Sequence, residues 1–146
     1  MRGGNLDNTP VPRIVIVFEN AIGYLPDAVR EQWRELSRAG KWHAVARLFE
    51  LDPLMLRKIS DLTFRHDVSV DVVTYCGPAG FARALERLFE RENVPVRIVT
   101  ATTPERMARR TSYEPDIRAV FDGNSEHAMV YGPKGVHLTD YRQLGG

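Results

Sequence analysis

The stretch RIVIVFENAIGY, residues 13–24, decides the fold. Ile14 to Phe18 are apolar without interruption, and an acid, an amide and a small residue follow. A strand with one wet face alternates apolar and polar side chains. An unbroken apolar run therefore predicts a strand covered on both faces, as in a parallel sheet. The acid that ends the run, Glu19, is then delivered to the carboxyl edge of that sheet. Open α/β sheets hold their ligands at that edge.

Four more segments have the same character. Residues 69–75, 94–100 and 117–122 predict strands, and residues 136–139 a weaker one. Helical patterns separate them. Residues 78–93 place Phe81, Leu85, Leu88 and Phe89 on one face and interleave Arg83, Arg87 and Arg91 with Glu86 and Glu90 on the other. Thr103-Pro104 and Asp52-Pro53 each read as an N-cap followed by proline at the first helical position. A further helix begins near Asn124 to Glu126 and stops at Gly132-Pro133.

Residues 24–66 are longer than one crossover needs. Val29, Trp33 and Leu36 stripe one helix, Trp42, Val45, Leu48 and Phe49 a second, and Asp52-Pro53 starts a third. The segment predicts a helical, cap-like insert after the first strand. Together these elements predict one three-layer α/β domain over residues 13–140, with a mainly parallel sheet of about five strands. Residues 1–12 read as a flexible arm and residues 141–146 as a tail.

The composition narrows the setting. The chain has 146 residues, a length that suits one core. The net charge of +1 lacks the basic excess of a dedicated nucleic-acid binder. With a single cysteine, Cys76, neither an internal disulfide nor a cysteine metal set is available, and a reducing cytoplasm is the expected location. No apolar run approaches the roughly 20 residues of a membrane span. His43, His66, His127 and His137 have no metal-ligand spacing.

The predicted strand ends carry Glu19 and Asn20, then Thr74, Tyr75 and Cys76, then Thr100 and Thr102, then Asp122, Asn124 and Glu126. Carboxylates and hydroxyls at one edge suit a hard cation such as Mg²⁺, and N–H groups after each strand suit an anion.

In VFENAIGY, VVTYCGPAG and AVFDGNSEHA the chain resembles the haloacid dehalogenase-like (HAD-like) superfamily, many of whose members are Mg²⁺-dependent phosphatases. The resemblance covers most of residues 13–140 and places the residue 24–66 insert at the family's cap position. It implies a nucleophilic aspartate where this chain has Val17. It implies an acid/base carboxylate at Glu19, phosphate contacts at Asn20 and Thr74, and a cation with no clean match, for which Arg109 and Arg110 are nearest and Lys134 lies beyond the acidic motif. Glu19, Asp122 and Glu126 are the implied Mg²⁺ ligands. In the other register Glu19 is itself the nucleophile, and Ala21 leaves the acid/base position empty.

The family's chemistry forms an aspartyl-phosphate and needs a carboxylate to attack. Valine has no lone pair. The expectation is therefore a degenerate, pseudo-phosphatase version of the scaffold that binds another protein. Two further readings stay open: a divergent Mg²⁺-dependent phosphohydrolase using Glu19, and a non-hydrolysing phosphate- or nucleotide-binding module.

Overall fold

The computed structural model describes residues 12–75, 78–101 and 103–145. The expectation of a flexible arm concerns residues outside this set, apart from residue 12, as do the expectations for Cys76 and Thr102.

RIVIV forms β1 (Arg13–Val17). Its strand neighbours are β4 (Ser69–Thr74) on one side and β6 (Ile117–Asp122) on the other, both parallel to it. β5 (Arg97–Thr100) extends the sheet beyond β4, and β7 (Gly135–His137) extends it beyond β6. The order β5-β4-β1-β6-β7 makes an all-parallel, five-stranded sheet. Four expected strands start or end differently: β4 stops one residue early at Thr74, β7 runs Gly135–His137, and β5 and β1 differ more. Val94 is buried at the end of the preceding helical turn and pairs with no strand, so β5 begins at Arg97. Glu19 leaves the ladder and forms only an isolated bridge with Gly23.

The helices cover both faces. Alternate side chains of β1 divide between two cores. Ile14, Ile16 and Phe18 pack with α2 (Trp42–Arg47), α3 (Pro53–Arg65) and α4 (Ala79–Arg91). Val15 packs on the other side with Met107 of α5 (Pro104–Tyr113) and with Tyr131, which follows α6 (Ser125–Val130). This is the physical content of the unbroken apolar run, since both sides of the strand lose their water.

The helix signals act as read. Asp52 accepts from the N–H of Leu54 at 3.0 Å, Thr103 from that of Arg106 at 3.1 Å, and Asn124 from that of Glu126 at 2.9 Å. Each cap satisfies a backbone donor that the first helical turn leaves unpaired.

The segment after β1 contains α1 (Arg30–Arg38) and α2, framed by a short antiparallel pair, β2 (Gly23–Tyr24) with β3 (Glu50–Leu51). α3 is the ordinary crossover from β1 to β4, so the additional helical material is the part between β2 and β3. It is anchored through aromatic rings. Phe18 is fully buried and meets Phe49, Phe81 and Phe89 edge-on, with centroids 5.2, 6.3 and 6.3 Å away. Such pairs add roughly 0.5–1.5 kcal/mol each beyond their buried area. Trp42 lies directly on Gly80 of α4, where an added Cβ would come 2.3 Å from its ring. α2 can approach α4 this closely only because residue 80 has no side chain.

The stretch expected as a tail is a 3-10 turn, Tyr141–Gly145, seated against α3 through buried Leu144. Its start is held by Gln143, whose side-chain oxygen accepts from the N–H groups of Thr139 and Asp140 at 2.6 and 2.8 Å.

Candidate functional site at the carboxyl edge of the sheet

The chain runs from β1 through β4 to β5, then returns to the far side of β1 to build β6 and β7. That reversal puts a topological switch point between the carboxyl ends of β1 and β6. Glu19 and Asn20 stand on one side of it, and Asp122, Gly123 and Asn124 on the other.

Val17 is 1% exposed and is paired with Val73 in the ladder. It is a core residue. Glu19 is the first β1-side acid to reach the rim and is half-buried. Its carboxylate accepts from the Thr74 hydroxyl and, at 3.3 Å, from the N–H of Tyr75. The structure thus brings together two expected site residues, Glu19 and Thr74, by hydrogen-bonding them to each other.

Asn20 is exposed and adopts a left-handed backbone with φ 63°. Asparagine tolerates that region better than most residues. The turn is closed by its N–H, which donates to the Gly23 carbonyl at 2.9 Å. The Asn20 carbonyl faces Gly123 so closely that a Cβ there would lie 2.0 Å from the oxygen. The two sides of the switch point therefore touch backbone to backbone at this level.

Asp122 is 1% exposed. One carboxylate oxygen accepts from the N–H of Asn124 at 2.9 Å, and the other from the Tyr131 hydroxyl at 2.7 Å. His127 Nδ1 is 3.4 Å from that second oxygen. The Tyr131 hydroxyl lies 2.5 Å from that of Tyr75. Since Tyr131 donates its one proton to Asp122, Tyr75 must donate to Tyr131. Burial pushes the Tyr75 phenol up to about 12, and the Asp122 and Glu19 carboxylates push in the same direction. Burial and the bond to Asp122 raise Tyr131 as well. Both phenols stay protonated at neutral pH and act only as neutral donors and acceptors. The Tyr75 ring also meets the His127 ring edge-on at 5.9 Å.

Glu126 is exposed in the first turn of α6. The three acids expected to share a cation, Glu19, Asp122 and Glu126, do not gather into one shell. Among the described residues no group of three or more His, Cys, Asp or Glu side chains forms a metal-binding cluster. The carboxylates that Mg²⁺ chemistry would draw on are held by protein donors or stand apart on the surface, so the residues present do not fit the Mg²⁺ shell that the resemblance implies.

Arg110, expected as a phosphate contact, borders a cavity with Tyr75, Thr100 and Arg106, but acids of the protein engage it. Its guanidinium donates to Glu114 at 2.7 Å and to Asp71 at 3.1 Å. α5 starts at the carboxyl edge and descends, so the end of the helix delivers Arg110 toward the opposite edge. There Asp71, 1% exposed, also accepts from Arg13 at 3.1 Å and from Arg97 at 2.7 Å. Arg13 reaches on to Asp116 at 3.1 Å and to Glu114 at 2.5 Å. Lys134, the other cation considered, donates to the Thr111 carbonyl at 3.2 Å.

Sequence reasoning missed Tyr131 as the partner of Asp122 and Tyr75 as the partner of Tyr131, because nothing in their local pattern marks a tertiary hydrogen bond. Asp71 was more legible. A charged side chain inside the apolar run SVDVVT needs a partner wherever that run is buried.

No known sequence family matches the chain, and no curated protein does. Its structure is similar to the crystal structure of a D,D-heptose 1,7-bisphosphate phosphatase from Burkholderia thailandensis, with a TM-score of 0.53. The two are 15% identical, over 85% of this chain and 74% of that one. The two share a fold, a mainly parallel five-stranded α/β sheet with helices on both faces. At this identity the likeness concerns the scaffold, and the chemistry must be argued from the residues present. No helix among the described residues is long and apolar enough to cross a membrane.

Proposed function

We propose that the protein is a haloacid dehalogenase-like scaffold that performs no phosphoryl transfer and works by binding another protein. One observation carries the reading: Val17, where the resemblance implies the nucleophile, is sealed in the β1 ladder at 1% exposure. No carboxylate can attack from that position. The supporting groups point the same way. Glu19 is engaged by Thr74 and the Tyr75 N–H, and Asp122 is held by Tyr131 and the Asn124 N–H. Large apolar side chains left in water, Phe64 at 72% and Met129 at 80% exposure, supply surface for a binding role.

The test is incubation with a generic aryl phosphate and Mg²⁺, using wild type, Glu19→Gln and Asp122→Asn. The expected result is the same background rate in all three. Metal-dependent turnover by wild type that either substitution abolishes would overturn the reading and establish the phosphohydrolase alternative.

A further inference from the structure

The outward face of α3 is organised differently from the rest of the surface. Its inward residues, Met55, Leu56, Ile59 and Leu62, are buried against the sheet. Its outward residues, Leu54, Arg57, Lys58, Asp61 and Phe64, recur at helical spacing along one stripe. With Tyr141 from the 3-10 turn they line a shallow cavity of about 480 Å³. Leu54 is 45% exposed and Phe64 72%. The apolar walls are therefore wet, although a buried phenyl ring would remove roughly 150–250 Å² from water.

The charges around these walls are unbalanced. Asp61 is the groove's acid, and it already has Arg65 Nε and His66 Nε2 at 3.5 Å. Arg57 and Lys58 have no acidic partner among the described residues. The opposite edge of the sheet shows what this chain does with arginines meant for internal use, since Arg13, Arg97 and Arg110 all reach acids.

We propose that this groove docks an acidic peptide segment of a partner protein, with one apolar side chain seated between Leu54 and Phe64 and carboxylates meeting Arg57 and Lys58. The proposal rests on the binding-module reading and deepens it by naming the surface and the partner's chemistry. Charge complementarity selects an acidic partner, and the apolar walls select a peptide over a nucleic acid. The net charge of +1 supplies no wider field to hold a nucleic-acid backbone.

The experiment follows amide signals of the isotope-labelled full chain by NMR during titration with short synthetic probes. One peptide is rich in Glu and Asp around a central Phe. A second has Ser in place of that Phe, and a third has Lys in place of the acids. A single-stranded oligonucleotide is the fourth probe. The acidic, Phe-bearing peptide is expected to move signals of α3 and of residues 141–145. The Arg57→Glu/Lys58→Glu double variant should weaken that binding by about tenfold or more, as like charges then face each other. Phe64→Ser should weaken it too. Arg57 and Phe64 are exposed and Lys58 is half-buried beside Gly145, so unchanged signals away from α3 and residues 141–145 will show that both variants fold. The proposal is overturned if these signals stay still, if another surface responds, or if the Lys peptide or the oligonucleotide gives the same shifts. A silent α3 removes the groove but leaves the non-catalytic reading to the aryl phosphate assay. Turnover in that assay removes the reading whatever α3 does.

Discussion

The two edges of the sheet each bury an aspartate at 1% exposure, and they satisfy it in opposite ways. At the amino edge, Asp71 is met by three guanidinium groups, from Arg13, Arg97 and Arg110. At the carboxyl edge, Asp122 is met by a phenol and a backbone N–H, with a histidine ring nearby. Burial is equal, but the compensation is ionic in one case and largely neutral in the other. The ionic edge joins four elements that are far apart in the chain, because Arg13, Asp71, Arg97 and Arg110 belong to β1, β4, β5 and α5. The neutral edge is local: Asp122, Asn124, His127 and Tyr131 lie within one β6–α6 passage, and only Tyr75 comes from elsewhere. The lesson is that the conspicuous cluster of arginines ties distant elements together, while at the carboxyl edge hydrogen bonds from Tyr131, Thr74 and backbone N–H groups hold the acids.

This contrast can be broken experimentally. The largest effect is expected for Asp71→Ala, which removes the more deeply buried of the two acids that the poorly exposed guanidinium groups of Arg13 and Arg110 share, leaving them only Glu114 in common. Removing one partner from a buried ionic cluster costs about 3–5 kcal/mol. Urea unfolding should show that loss, and a loss below about 1 kcal/mol would mean that the cluster is well hydrated. Tyr131→Phe comes next. It removes the hydroxyl between Tyr75 and Asp122 and leaves a buried carboxylate oxygen short of a donor, at a cost of about 1–3 kcal/mol. The same urea measurement checks it. If Tyr131→Phe costs more than Asp71→Ala, the ranking of ionic over neutral compensation is wrong.

Smaller still is the response to acid. The Arg110 hydrogen bond, helped by Arg13, holds the Glu114 carboxyl below its usual range. A carboxyl whose folded value is depressed stabilises the fold above its unfolded value, here near 4.5, and that stabilisation fades as pH falls through the folded value. Melting temperatures measured from neutral pH to below 4.5 should fall less steeply for Glu114→Gln than for wild type. Parallel curves would remove Glu114 from the account. The smallest effect is expected for Arg97→Ala. Its side chain is 59% exposed, so its bond to Asp71 competes with water, and a loss of under about 1 kcal/mol is expected in urea.

Much of the fold was legible because it depends on local pattern. The apolar run from Ile14 to Phe18, the caps Asp52 and Thr103, the helix start near Asn124, and the striped face of α4 are short-range features, and the structure contains all of them. The candidate site was legible only in part. Glu19, Thr74 and Asp122 could be placed near strand ends by counting, but whether they face a ligand or one another cannot be counted. Arg110 shows the difference. Its neighbourhood reads as a basic helix end, yet the direction of α5 carries it to Asp71, 39 residues back in the chain.

By itself the sequence determined a parallel α/β scaffold, and it determined that Val17 brings no carboxylate to the end of β1. It did so because burial periodicity and the chemistry of a single side chain are local properties. Only the tertiary structure decided that Tyr131 and Tyr75 close over Asp122, that three arginines converge on Asp71, and that α3 turns Leu54 and Phe64 toward water. Those outcomes depend on which elements the topology sets side by side, and hydrogen bonds and ion pairs form between whatever side chains it brings within reach.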